Sequence, residues 1–152
     1  MIQRKQSVFL LLAAISTVVC LCLPIATFEP KQLGVGAEMF NLWLQNGNGS
    51  KSLSVCPLFC ILLINAVISL ATIFLYRNRK LQIKLCSLCN LLAILWYAAF
   101  IFFVTNTKNQ SAADFHISFA AVLPIVSMIL VFMARKGVKA DEALIRAAER
   151  IR

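Results

Sequence analysis

Hydrophobic positions along the chain gather into four long runs, residues 8–26, 55–76, 85–104 and 115–134, set apart by polar connections. Each run is about 20 residues, the length a helix rising about 1.5 Å per residue needs to cross a hydrocarbon core about 30 Å thick. None of the runs holds Lys, Arg or Glu, and Asp114 stands just before the fourth. The insertion cost of about 2.5–3.5 kcal/mol for a charge at the centre of a span is therefore avoided. This pattern predicts an all-α membrane protein, a four-transmembrane-helix up-and-down bundle forming one integral membrane domain over residues 1–152. The first run follows Arg4 and Lys5 as a signal peptide would. It exceeds the roughly 7–15 residues of a signal-peptide core and has no A-x-A site after it, so it is expected to remain as a helix.

The connections carry their own signals. In the first outer loop, residues 27–54, Phe40, Leu42 and Leu44 alternate with Asn41, Trp43 and Gln45 before the turn-forming stretch "NGNG". A small β-hairpin resting on the helix ends and a loop without regular structure are both open readings. The inner turn "RNRK" and the outer "TNTKNQSAAD" are short, which makes their flanking helices antiparallel neighbours. Pro57 lies near the start of the second run, where a missing N–H costs little, whereas Pro124 falls inside the fourth and is expected to bend it.

After Gly137 the pattern changes to that of an amphipathic helix over residues 138–151. At about 100° per residue, Ala140, Leu144, Ala147, Ala148 and Ile151 share one arc and Lys139, Glu142, Arg146, Glu149 and Arg150 the opposite one. Glu142 stands four positions before Arg146, the favourable order for an ion pair along a helix. Gly137 offers a place for the chain to turn along the membrane; a straight continuation of the span is the other reading.

Charge then sets orientation. Arg4, Lys5, Arg77, Arg79, Lys80, Lys84 and the tail cations Arg135, Lys136, Lys139, Arg146, Arg150 and Arg152 fall on one side. Lys31, Lys51 and Lys108 fall on the other, accompanied by Glu29, Glu38 and Asp114. Lys and Arg collect on the cytoplasmic side of short loops, so both termini are expected there. The excess of 15 basic over 6 acidic residues is thus assigned to membrane orientation and not to nucleic acid, in a chain that is 61% hydrophobic.

Chemistry is sparse. Cys20, Cys22, Cys56 and Cys60 lie near the outer ends of the first two runs, with the lone His116 at the outer start of the fourth. An outward thiol or zinc site is conceivable there, but Cys20 and Cys22 point about 200° apart on a helix, so both cannot face one site. Cys86 and Cys89 form "CSLC" near the cytoplasmic side, where thiols stay reduced. Packing is the favoured reading for all six cysteines. Asn65 and Asn90 are the deepest amides and are expected to bond between helices, while Trp96 and Tyr97 are read as packing and, in the minority reading, a pocket for a flat ligand. Asn48-Gly49-Ser50 and Asn109-Gln110-Ser111 fit a glycosylation pattern and are assigned no function. No catalytic residue, cofactor or metal is expected.

The start "MIQRKQSVFLLLAA", the stretch "RKLQIKLCSLCNLL" and the ending "LPIVSMILVFMARKGVKADEALIRAAERIR" resemble the bacterial membrane proteins of domain of unknown function family 4293. The resemblance implies a bacterial inner-membrane protein with four helices and an outer loop after the first, and it supplies no reaction. Ile145, Ala147 and Glu149 depart from the family's common ending, and Ala147 lacks the hydroxyl found there. The leading expectation is a non-enzymatic accessory or scaffold. Its basic cytoplasmic face, Arg79, Lys80, Lys84, Arg146, Arg150 and Arg152, would meet anionic lipid headgroups, a second copy of the chain or another membrane protein. A small transporter is the first alternative, without proton coupling because no carboxylate lies in the runs. An outward-facing thiol oxidoreductase using Cys20, Cys22, Cys56 or Cys60 is the second.

Overall fold

The computed structural model describes residues 2–29, 36–75, 78–111 and 114–150. Among these residues are four α-helices, α1 (Ile2–Cys22), α2 (Cys56–Phe74), α3 (Arg79–Ser111) and α4 (Leu123–Arg150). They come with five strands, β1 (Ala26–Glu29), β2 (Ala37–Met39), β3 (Leu44–Gln45), β4 (Lys51–Ser52) and β5 (Asp114–Ile117). Each helix packs on its chain neighbours, and α4 closes the ring against α1. Two apolar layers fill the interior. Leu10, Ala13, Cys86, Cys89, Val131 and Ala134 form the one near the α1 start and α4 end, and Cys20, Leu58, Leu62, Trp96, Phe100 and Ala120 lie in the other. That grouping runs successive helices in alternating directions.

The helices follow the apolar runs, and their ends differ from expectation for identifiable reasons. α1 stops at Cys22, four residues short of the end of the first run, because Pro24 has no N–H to continue it and Ala26 already belongs to β1. α2 keeps Pro57 in its first turn, preceded by a 3-10 turn over Leu53–Val55. α3 runs through most of "TNTKNQSAAD", so the connection after it is shorter than the sequence suggested. The fourth helix does not begin at residue 115: β5 and a 3-10 turn over Phe119–Val122 come first. Pro124 therefore sits in the first turn of α4, where a proline replaces no intrahelical bond, and it bends no span. Gly137 breaks nothing either; α4 passes straight through it, so the tail is the end of the span's own helix and no separate element.

Leu53–Phe74, Arg79–Lys108 and Phe119–Ile145 are helices long and apolar enough to cross a membrane, and Gln6–Cys22 is a shorter apolar helix. Their outward faces carry Ile15, Val67, Leu91, Ile94, Ile101 and Ile129, each at least half exposed. A contiguous apolar surface of this size is rare on a soluble monomer.

The all-α expectation with a hairpin is corrected to a five-stranded antiparallel sheet in the order β4-β3-β2-β1-β5. The "NGNG" stretch does form the β3–β4 turn: Asn46 N donates to Ser50 O at 3.0 Å, Gly49 N to Asn46 O at 2.9 Å, and Gly49 takes the positive φ of 75°. The alternating stretch before it is not one strand, since the chain turns back at Phe40 N–Trp43 O, 2.9 Å. Two further strands were hidden in what looked like span ends. β1 pairs with β5 in the register Thr27↔His116 and Phe28↔Phe115, and the Phe28 and Phe115 rings meet at 5.6 Å. The sheet thereby ties the connection after α1 to the connection after α3.

Candidate functional site

Two ends of the bundle carry polar residues, and they are built differently. At the sheet end, the Phe40–Trp43 turn drives Asn41 into the helices, where it is fully buried. Its amide donates to Cys20 O at 2.7 Å, lies 3.8 Å from Cys20 Sγ, and its carbonyl accepts from Trp96 Nε1 at 3.1 Å. A buried amide is stable only when so satisfied. Trp96 in turn stacks on Phe100 at 5.2 Å and meets Tyr97 edge-on at 4.9 Å, and Tyr97 donates to Ala121 O at 2.7 Å. Trp96 and Tyr97 are packing groups that lock α3 to the sheet and to α4.

Midway, Asn65 donates to Cys89 O at 2.8 Å and Ser69 Oγ lies 3.6 Å from Cys89 Sγ, an interhelical link as expected. Asn90 does not match it, since its buried Oδ1 has no hydrogen-bond partner.

At the opposite end the cations gather. Arg79 is half-buried at the start of α3, and Lys80 and Lys84 are exposed within its first two turns. On α4, Lys136 and Lys139 are exposed, with Lys136 Nζ over the Phe132 ring at 4.9 Å. Arg135 turns inward and its buried Nε has no hydrogen-bond partner. Arg146 and Arg150 are described only as backbone of α4, and Arg152 lies outside the described residues. Of the predicted contact residues, the structure therefore brings Arg79, Lys80 and Lys84 to this end and adds Arg135, Lys136 and Lys139 beside them.

The same end holds a buried bond between the first and last helices. Gln6 Nε2 donates to Asp141 Oδ2 at 2.7 Å, with Gln6 6% and Asp141 8% exposed. Gly137, one turn before Asp141, makes the space: a Cβ there would stand 3.1 Å from both Cγ and Nε2 of Gln6. Asp141 is thus a buried carboxylate within the charged tail. The face of α4 that packs inward is Val131, Ala134, Val138 and Asp141. The apolar arc of the tail is left open, with Leu144 64% exposed, and Ile145 beside it is 42% exposed.

All six cysteines are free thiols. Cys20 is buried against Asn41, Cys22 is exposed on the other side of α1, and Cys56 and Cys60 lie one turn apart on α2, Cys60 exposed. His116 is on β5 and not on a span, with its Nε2 3.9 Å from Glu29 Oε2. Among the described residues, no group of three or more His, Cys, Asp or Glu could hold a metal ion.

A family profile described as Domain of unknown function (DUF4293) matches residues 2–151. No curated protein matches the chain.

Proposed function

The chain belongs to the DUF4293 family, and from that premise we propose a non-enzymatic accessory or scaffold protein of the bacterial inner membrane. In this reading all four helices cross the bilayer, the sheet caps the bundle outside, and both termini are cytoplasmic. The observation that carries it is the sorting of charge along the bundle. An apolar belt girdles the helices, and beyond it at one end stand the exposed Lys80, Lys84, Lys136 and Lys139. Near an anionic inner leaflet each such cation contributes about 1 kcal/mol.

The end of α4 supports a contact role. Leu144 is ten residues past Ala134, the last residue before the basic stretch, and at about 1.5 Å per residue it stands about 15 Å farther along the helix axis. A headgroup layer is thinner than that, about 6 Å per leaflet. An upright α4 carries Leu144 and Ile145 clear of lipid, where a protein surface can cover them.

A photo-crosslinking residue in place of Leu144, activated in native membranes, tests this directly. Crosslinks to a protein support the scaffold role; lipid adducts alone remove the partner and leave only the lipid-contact version. A reporter enzyme fused after Arg152 and found active outside the cell would overturn the orientation.

A further inference from the structure

A cleft of about 340 Å³ opens at the sheet end of the molecule, between the β3–β4 edge and the outer turns of α3. Its origin is the two-residue period of the strands. Leu44 and Ser52 are partners across β3 and β4 and point to the same face, toward α3, while Gln45 and Lys51 point away. Lys51 is occupied on that far side, its Nζ 4.7 Å over the Trp43 ring. The cleft face is thereby stripped of charge.

Leu44, Val55 and Phe103 make its apolar part. The polar part is Asn46, Ser52, Ser54, Asn106 and Thr107, all uncharged. These groups retain both donors and acceptors. Ser52 Oγ and Ser54 Oγ share one hydrogen bond at 2.8 Å, which leaves one hydroxyl hydrogen over. Thr107 Oγ1 donates to Phe103 O at 2.9 Å and keeps its lone pairs. Asn46 Nδ2 donates to Ser50 Oγ at 3.1 Å, leaving its carbonyl oxygen as an acceptor.

We propose that this cleft is a binding site for one neutral sugar ring, either free or as the end residue of a surface glycan. A phosphate or carboxylate would enter without a cation to meet it, and burying an uncompensated charge is costly. A purely apolar ligand would strand the amides and hydroxyls. A sugar ring presents hydroxyls around its edge and C–H groups on its faces, which suits polar walls around Leu44 and Phe103. The size also fits, at the lower end of the range of about 300–1,000 Å³ for small-molecule pockets.

The full chain in lipid nanodiscs is titrated with neutral methyl glycosides, with short neutral oligosaccharides, and with glucuronate and glucose 6-phosphate, followed by saturation-transfer NMR. The expected result is saturable binding of at least one neutral probe. Methyl glycosides that bind identify a free ring, and binding confined to oligosaccharides identifies a glycan end. Asn106→Ala combined with Ser54→Ala removes two exposed polar groups with little effect on the fold. This pair is expected to weaken binding by about tenfold, while Gln45→Ala on the far face leaves it unchanged. Absence of saturable neutral binding, equal binding of the anionic sugars, or indifference to the paired variant each overturns the proposal.

Discussion

Gly137→Ala is the most informative single change, because two effects of similar size oppose each other there. In a helix interior, Gly to Ala stabilises by about 0.5–1 kcal/mol through backbone entropy alone. Against this, the new Cβ would stand 3.1 Å from Cγ and Nε2 of Gln6, closer than ordinary van der Waals contact. A free glutamine would swing aside, but this one is 6% exposed and held by a 2.7 Å bond to Asp141. Displacing it endangers a hydrogen bond to a carboxylate, worth about 1.5–3 kcal/mol. The clash wins, and a net destabilisation of about 0.5–2 kcal/mol is expected. The comparison that isolates the cause is the same substitution in a Gln6→Ala background. There the obstructing amide is gone, only the helix term remains, and Gly137→Ala is expected to stabilise by about 0.5–1 kcal/mol. Reversible unfolding of the four proteins in bicelles gives the coupling energy of the cycle, expected at about 1–3 kcal/mol. Equal effects of Gly137→Ala in both backgrounds would refute the idea that the glycine exists to admit Gln6.

Three other outcomes follow from the geometry. Asn41→Ala removes the acceptor of Trp96 Nε1 and the donor to Cys20 O at a fully buried position, so a loss of about 2–4 kcal/mol in unfolding free energy is expected; a loss below about 0.5 kcal/mol would show that the Asn41 contacts do not hold the sheet to the bundle. Pro124→Ala is expected to change stability by less than about 1 kcal/mol, because the proline is in the first turn of α4; recovery of about 3 kcal/mol would instead mark a mid-helix break. Replacing Lys80, Lys84, Lys136 and Lys139 with Gln is expected to abolish the preference for anionic lipid in native mass spectrometry of the purified protein; an unchanged preference would place lipid contact elsewhere.

Much of the helical architecture was legible because each helix states its own burial. Runs without charge, the second opened by Pro57, can be read locally, whereas the stop that Pro24 imposes on α1 falls inside the first run. The sheet could not be read that way. β1 and β5 are four residues each, separated by more than half of the chain; β5 pairs with β1, and β1 pairs with β5 and β2. Phe115 and Ile117 looked like the first turn of a span because they are apolar, yet alternation with Asp114 and His116 was the strand signal. Asn41 was hidden for a related reason: in an alternating stretch it counts as the solvent face, and only the turn at Phe40–Trp43 reverses it into the bundle.

At the end of α4, the part of the helix before Gly137 decides which residues face inward. Treated as an isolated helix, residues 138–151 present an Ala-Leu-Ile arc to the membrane surface or to a partner. α4 is continuous, so its inward face is inherited from the span above: Ser127, Val131, Ala134, Val138 and Asp141 recur at intervals of four and three, the seam of a packed helix. Carrying the heptad across Gly137 puts a carboxylate on the seam, and a carboxylate there requires a donor from a facing helix. Gln6, in the part of α1 that faces the α4 end, supplies it, and Gly137 makes the room. Leu144 and Ile145, one turn beyond Asp141, stay exposed. A variant that releases Asp141, such as Gln6→Ala, is expected to lower crosslinking at position 144 as the helix end loses its fixed rotation. Undiminished crosslinking in that variant would separate the contact surface from the buried bond.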